Sequence, residues 1–333
     1  MKNYWYIYCR SRQLKSKPLA RTIFGEALVA FRTSNGSIGI LADRCAHRNL
    51  ALSRGQVVEK GLSCAYHGWT WSTEGRCVDI PASCQDCAAY RQIKVRSYPV
   101  VESQGFVWVW MGPAESVPTE QPMIFPRFTD DRWHHWVMER EFEGSAFNCV
   151  ENFLDVPHTA HVHRGLFRGS ETKIVELEIT SGADWIQAEF LEEKRMDSLI
   201  GRLLFKKEGP IIHTDRFELP YVTRVDYRMA ESRQYIVMSQ CTPIDEARTR
   251  VFTYMAYRFD PFGRAVRLFF EPLSHIILNQ DIVIVREQAE DLRRTGPARF
   301  IYWETDAIAK GIRRLLDGES LANQKPVRKR LRV

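Results

Sequence analysis

The sequence predicts an α+β fold in two domains: an antiparallel β domain over residues 1–112, and an antiparallel sheet carrying helices over 127–316. Three observations predict it. Residues 1 to about 112 break into short apolar β segments separated by turns. Four prolines fall between Gly112 and Pro126, where periodicity lapses, so 113–126 reads as a linker. From Lys173 to Phe259 apolar and polar residues alternate, as in half-buried strands, and a helical stripe follows.

In chain order, the first strands are Thr22-Ile23-Phe24, Ala27 to Phe31 and Ile38 to Leu41, with Trp69 to Trp71 and Phe106 to Trp110 later. Asn35-Gly36 lies between two of them and signals a hairpin, because both residues tolerate positive φ. Beyond the linker, Trp133 to Glu143 reads as a strand and Phe147 to Thr159 as a helix. Arg216 to Leu219 and Val222 to Tyr227 exemplify the long sheet. Asn279 to Arg294 carries Ile282, Ile284, Val285 and Ala289 at helical spacing, and Trp303 to Leu316 is a final helix.

The net charge of +6 is concentrated at one end. Lys325, Arg328, Lys329, Arg330 and Arg332 supply five positive charges, so the remainder carries 6 − 5 = +1, which argues against a nucleic-acid binder. Residues 317–333 are expected to be a solvated, frayed basic tail. The N-terminus, Met1 to Trp5, shows no signal-peptide run, and no stretch approaches the roughly 18 consecutive apolar residues of a membrane span. Eight cysteines in so long a chain without such a signal point to a reducing, cytoplasmic setting rather than a disulfide framework.

Two clusters carry the chemistry. Cys45-Ala-His47 is followed, after sixteen intervening residues, by Cys64-Ala-Tyr-His67-Gly-Trp69. Each half offers one thiolate and one imidazole, whereas zinc sites usually pair like with like. The pattern suits a [2Fe–2S] cluster with two cysteines on one iron and two histidines on the other. The second cluster runs from Glu151 to His163 and places four potential ligands, Asp155, His158, His161 and His163, within nine residues. Two imidazoles and one carboxylate on a face of iron leave positions open for O2 and substrate. Spacing alone leaves the choice open. Asp155, His158 and His161 would share a helical face, whereas His158 and His163 require the helix to end or bend near Thr159–His161.

The first cluster resembles a Rieske motif, and Asn152-x-x-Asp155-x-x-His158-x4-His163 resembles the catalytic motif of Rieske non-haem iron oxygenases, in the same order. The resemblance extends over roughly residues 4 to 300, and within the family it favours the homotrimeric vanillate O-demethylase-like monooxygenase branch. It implies a β Rieske domain followed by a helix-grip catalytic domain. It implies that Cys45, His47, Cys64 and His67 hold the cluster, and that His158 and His163 bind a mononuclear iron. The third ligand implied is Asp281, at the opening of the 279–294 helix, with Glu287, Asp291 and Glu271 as less favoured choices. Asp155 would relay electrons by bridging an iron-ligand histidine and His67 of the partner subunit, which implies a head-to-tail trimer. Asn152 would line the iron pocket. His161 reads as a surface or supporting residue, and His134 and His135 as structural.

The activity implied is O2-dependent hydroxylation or oxidative demethylation of an apolar or aromatic small molecule. With no G-x-G-x-x-G or flavin motif, electrons must reach this chain from an NAD(P)H-dependent reductase, with or without a ferredoxin between them. The competing readings are cis-dihydroxylation, a Rieske electron carrier without mononuclear iron, and a zinc hydrolase on Asp155, His158 and His161. Alternate members of Phe205, Phe217, Tyr221, Met229, Tyr235, Met238 and Tyr254 should face a substrate pocket. The chain departs from the family pattern at Ala46, Ala65 and Asn49, where proline, proline and glycine are common. Cys77, Cys84 and Cys87 are extra thiols, read as structural or incidental.

Overall fold

In a computed structural model the chain divides into two compact units, Met1–Ile124 and Phe125–Val333. The structure describes residues 1–83, 90, 92–119, 121–164, 174–193, 211–296 and 299–332. Cys84, Cys87 and Phe205 lie outside these.

The first unit is built from eleven short strands: β1 (Trp5–Arg10), β2 (Leu19–Ile23), β3 (Glu26–Arg32), β4 (Ile38–Ala42), β5 (Gln56–Val58), β6 (Gly61–Ser63), β7 (Thr70–Trp71), β8 (Cys77–Asp79), β9 (Ser97–Tyr98), β10 (Val100–Ser103) and β11 (Phe106–Trp110). They form three antiparallel sheets, ordered β1-β11-β10, β2-β3-β4-β9 and β5-β6-β7-β8. Trp71, Trp108, Tyr6, Tyr8 and Phe31 fill the interior. The expected hairpin joins β3 to β4, with Gly36 at φ +89° and Thr33 N–H donating to Ser37 O.

The second unit opens with β12 (His134–Phe142) and α1 (Ala146–Leu154), and continues through β13 (Ile174–Ser181), β14 (Trp185–Glu193), β15 (Ile211–Glu218), β16 (Val222–Ala230), β17 (Arg233–Pro243) and β18 (Thr249–Phe259). After these come α2 (Arg267–Thr295), α3 (Ala307–Leu316) and β19 (Val327–Arg332). The strands make one eight-stranded antiparallel sheet, β12-β18-β17-β16-β15-β14-β13-β19. The helices bury Phe147, Val150, Leu278 and Ile312 in a core shared with Phe217 and Tyr257 of the sheet. Close approach is built in: a Cβ on Gly311 of α3 would sit 2.2 Å from Ile186 Cδ1 of β14.

Four expectations need correction. Helix α1 ends at Leu154 rather than Thr159, and a 3-10 turn, Pro157–Ala160, begins at a residue with no N–H to continue the ladder. Helix α2 begins at Arg267, twelve residues before Asn279, and runs through Pro272. Buried Phe270, Ser274, Leu278, Asp281 and Val285 recur every three to four residues along it, so packing against the sheet overrides the proline. The basic tail is not frayed throughout. Val327–Arg332 pairs with β13, Leu331 is buried, and Arg328 and Arg330 meet Glu178 and Glu176 at 3.1 and 3.2 Å. Finally, among the described residues one helical stretch, Gly263–Thr295, is long and apolar enough to cross a membrane by length and composition, its most apolar 18-residue window having a mean hydropathy of 1.3. That stretch also packs Phe270, Leu278 and Val285 into the core of its unit.

Candidate metal centres

The two cysteine–histidine loops differ in sequence spacing but share one backbone design. Cys45 N–H donates to Leu50 O and Asn49 N–H to Cys45 O; Cys64 N–H donates to Trp69 O and Gly68 N–H to Cys64 O, all at 2.9–3.0 Å. Each loop therefore closes over five residues, and its last corner needs a left-handed residue: Gly68 at φ +73° and Asn49 at φ +62°. Asparagine is among the few side-chain-bearing residues that adopt this conformation readily, and here Asn49 Oδ1 also accepts from Arg44 Nε at 2.9 Å. The asparagine in place of glycine thus preserves the loop.

Both thiols are buried, while His47 is half-buried and His67 exposed, so the loops present thiolate donors inside and imidazoles outside. The four residues line one hollow together with Trp69, which stacks on His47 at 4.4 Å and 7°. His47 and His67 stand edge to face at 4.6 Å. Burial pushes the Cys45 thiol up, and neighbouring Cys64 opposes its ionisation further. Desolvation, with His67 and Arg48 nearby, holds His47 below its usual value, in the neutral form a ligand requires. Two buried thiols side by side, with two imidazoles lining the same hollow, fit a cationic iron–sulfur group.

In the second unit, His158, His163 and Asp281 each offer a ligand atom within 4.8 Å of the others, and among the described residues they are the one such group. Helix α1 and its turn deliver His158, and the chain beyond the turn delivers His163. Asp281 comes from the middle of α2, not from a helix start, so the helix dipole does not explain it. His158 Nδ1 donates to Asp155 O, and His163 Nδ1 donates to Gln280 Oε1 at 2.8 Å. These bonds leave both Nε2 atoms facing inward, 3.2 Å apart, with Asp281 Oδ1 at 3.5 and 3.1 Å from them. Two donors about 2.1 Å from one ion and at right angles to each other lie about 3 Å apart. Asp281 Oδ1 is buried without a hydrogen-bond donor. A buried carboxylate facing two imidazole nitrogens whose protons are elsewhere fits a divalent cation. Without one, burial works against ionisation of Asp281, but the two histidines hold its carboxyl below the usual range; burial likewise works against a charged His158, and Asp281 raises it.

Other candidate ligands stand apart. His161 is exposed, Glu271 pairs with Arg267, and Asp291 pairs with Arg294. Glu287 and Asn152 line a separate acidic recess of about 530 Å³. Asn152 lies off the lining of the cavity onto which the three donors open and lines the recess instead, together with Asp155 and His158. That cavity, about 200 Å³, is walled by the sheet and by α2. Asp155 lines both spaces, so it lies between the donor site and the acidic recess. Of the aromatic and sulfur side chains expected at a pocket, Met229 and Tyr235 reach it, whereas Phe217, Tyr221, Met238 and Tyr254 do not. His213, Asp215 and Gln280 are the functional candidates sequence reasoning overlooked. Alternation along Ile211–Glu218 places His213 and Asp215 on one face, but not which face is concave.

A β domain with a cysteine–histidine hollow, followed by a helix-covered sheet with a two-histidine, one-carboxylate site, defines a Rieske-type oxygenase subunit. Residues 4–99 match the Rieske [2Fe-2S] domain and residues 142–321 the vanillate O-demethylase oxygenase C-terminal domain. The chain belongs to the vanillate O-demethylase-like branch of the Rieske non-haem iron oxygenases, whose cofactors are the [2Fe–2S] cluster and a mononuclear iron. It is 41% identical over 163 residues to the 3-chlorobenzoate-3,4-dioxygenase oxygenase subunit of Comamonas testosteroni, covering 45% of this chain and 38% of that one. With the dicamba O-demethylase oxygenase component of Stenotrophomonas maltophilia it shares 32% identity over 189 residues, 56% and 55% of the two chains. The chain thus spans about half the length of such relatives, or less. Dicamba monooxygenase bound to dicamba has the same fold, with a TM-score of 0.83 at 23% identity over 95% of this chain and 96% of that one.

Proposed function

We propose that this chain is the oxygenase component of a multicomponent monooxygenase that hydroxylates or oxidatively demethylates an apolar or aromatic small molecule. The observation that carries the reading is the convergence of His158 Nε2, His163 Nε2 and Asp281 Oδ1 on one point that opens into a mainly apolar cavity. Cys45, His47, Cys64 and His67 would hold the cluster, and His158, His163 and Asp281 the mononuclear iron. When bound, these groups supply single electrons and a site where O2 is reduced beside the substrate.

The chain's own residues do the rest. The bonds from Nδ1 of His158 and His163 fix the tautomers that point Nε2 inward. The mainly apolar cavity wall would hold the ring close to the donors. Asp155, between the donor site and the acidic recess, would take up contact with His67 of the partner subunit in a trimer, as its place on both linings supports. A separate NAD(P)H-dependent reductase, directly or through a ferredoxin, would feed the cluster in the cytoplasm. The second reading, cis-dihydroxylation, is favoured by the 41%-identical dioxygenase subunit. Isotopic oxygen separates the two, since a monooxygenase incorporates one atom of O2 into product and a dioxygenase two.

The test is iron and acid-labile sulfide per chain on anaerobically purified protein. About three irons with two sulfides are expected, falling to about two and two in His163→Ala. A wild-type protein that stays at about two irons after ferrous iron is added is an electron carrier, and the oxygenase reading fails.

A further inference from the structure

The sheet face of the cavity is laid out in rows fixed by strand register. His213, Tyr227 and Tyr235 form one row; Asp215, Val225, Val237 and Met255 the next; Thr223, Ser239 and Thr253 the third. Two features stand out. His213 is clamped between Phe190 and Tyr227, stacked at 4.3 and 4.2 Å, and its Nε2 donates to Asp215 Oδ1 at 3.0 Å. His213 and Asp215 are each only 2% exposed. Among the described residues, Asp215 receives this one hydrogen bond, although a carboxylate offers about four acceptor sites. A buried carboxylate that is underused in this way calls for a further donor. No lysine or arginine is found among the described residues lining the cavity.

From this we propose that the cavity selects an uncharged or cationic single-ring substrate carrying a hydroxyl or amine donor, and that Asp215, held in place by His213, receives that donor. The proposal rests on the oxygenase reading of the same cavity. The size agrees, since a cavity of about 150 Å³ lined by apolar side chains holds benzene and this one is about 200 Å³. The charge agrees as well. Asp281 faces the two imidazoles of the metal site and Asp155, which also lines the cavity, sits beside His158, so Asp215 is the acid that the sheet wall offers away from the donors. An aromatic carboxylate or sulfonate placed against Asp215 would meet a buried carboxylate with no lysine or arginine among the described wall residues beside it. The hydroxyls of Ser239 and Thr253, 3.0 Å apart, give an uncharged polar strip on the other side of the apolar row.

The test compares four probes that share a methoxy-substituted ring: anisole, 4-methoxybenzyl alcohol, 4-methoxybenzylamine and 4-methoxybenzoate. Their equilibrium binding to the fully loaded, oxidised protein is measured by calorimetry. The alcohol and the amine are expected to bind about tenfold or more tightly than the benzoate. In Asp215→Asn the advantage of the amine over anisole should shrink by about tenfold, while anisole binding stays unchanged. Benzoate binding as tightly as the alcohol overturns the proposal, as does the absence of binding by all four probes. Equal weakening of anisole and amine in the variant assigns Asp215 a purely structural role and also overturns it. The wild-type ranking decides even if the variant does not fold. Iron content and substrate-stimulated O2 uptake are read on the same sample. The expected ranking without O2 uptake would sink the oxygenase reading and leave the selectivity standing.

Discussion

His163 reaches the donor site with its Nδ1 proton already committed to Gln280 Oε1, one residue before Asp281 on α2. One helix therefore supplies both a carboxylate donor and the group that orients a histidine donor. Gln280→Leu, which keeps the volume and removes the acceptor, is expected to weaken mononuclear iron binding about 10- to 100-fold while the cluster stays intact. Chelator competition checks this against the visible absorption of the cluster. In the cluster loops, the left-handed corner at Asn49 makes a paired prediction. Asn49→Gly should fold with no measurable loss, whereas Asn49→Val should cost about 1–2 kcal/mol in denaturant unfolding and loosen the cluster. Equal behaviour of the two variants would show that the corner carries no strain.

Helix α1 is where local signals act most directly. Ser145 caps it, accepting from Asn148 N–H at 3.2 Å, and the chain stops being helical at Leu154, before Pro157. The early stop frees His158 and His163 from helical geometry, so residues five apart can face one another. At the other end of the unit, β19 closes the sheet edge that β13 would expose. Leu331→Ala is expected to cost about 2–4 kcal/mol, seen as a lower thermal midpoint. Removing residues 326–333 should add a tendency to aggregate, because an unpaired strand edge is left open. A truncated protein with unchanged midpoint and solubility would refute the role given to this strand.

For the whole molecule, the acidic recess is the feature with the widest consequence. Glu151 is pushed up to about 7 by desolvation first and by Asp155 second, and burial likewise raises Asp155. A carboxyl whose folded-state value lies above its ordinary one is retained as the acid by the fold. Its cost is absent below about pH 4.5, where both states hold the proton, and grows as pH rises toward 7, where only the folded state does. Glu151→Gln should therefore be about 1 kcal/mol more stable than wild type at pH 8 and equal to it at pH 4, allowing for solvent at a half-buried group. Thermal unfolding across that range checks it; a pH-independent difference would place the effect in packing. The recess also bears on assembly. Acids gathered around Asp155 favour a basic partner surface, so trimer formation, measured by light scattering, should weaken as salt is raised.

The sequence alone determined the family pattern of the chain, and it carries the signals read as donors and as a linker. Short-range spacing carries that information: a thiolate and an imidazole in each of two loops, histidines after an early-stopped helix, prolines between two strand-rich stretches. Alternation along β15 and β16 and the Asn35-Gly36 hairpin were legible for the same reason, since each depends on neighbours in the chain. Only the tertiary structure decided which acid meets the histidines. Asp281, Glu287 and Asp291 share one helix and similar surroundings in sequence, and burial against the sheet singles out Asp281. The same holds for the start of α2, where packing of Phe270, Ser274 and Leu278 outweighs a proline, and for β19, whose basic residues find partners on a strand some 150 positions earlier. His213 and Asp215 stayed hidden because period-two spacing places them on one face without saying which face is inside. The register of five strands turns that face toward the cavity, and register is fixed by contacts across the sheet rather than along the chain.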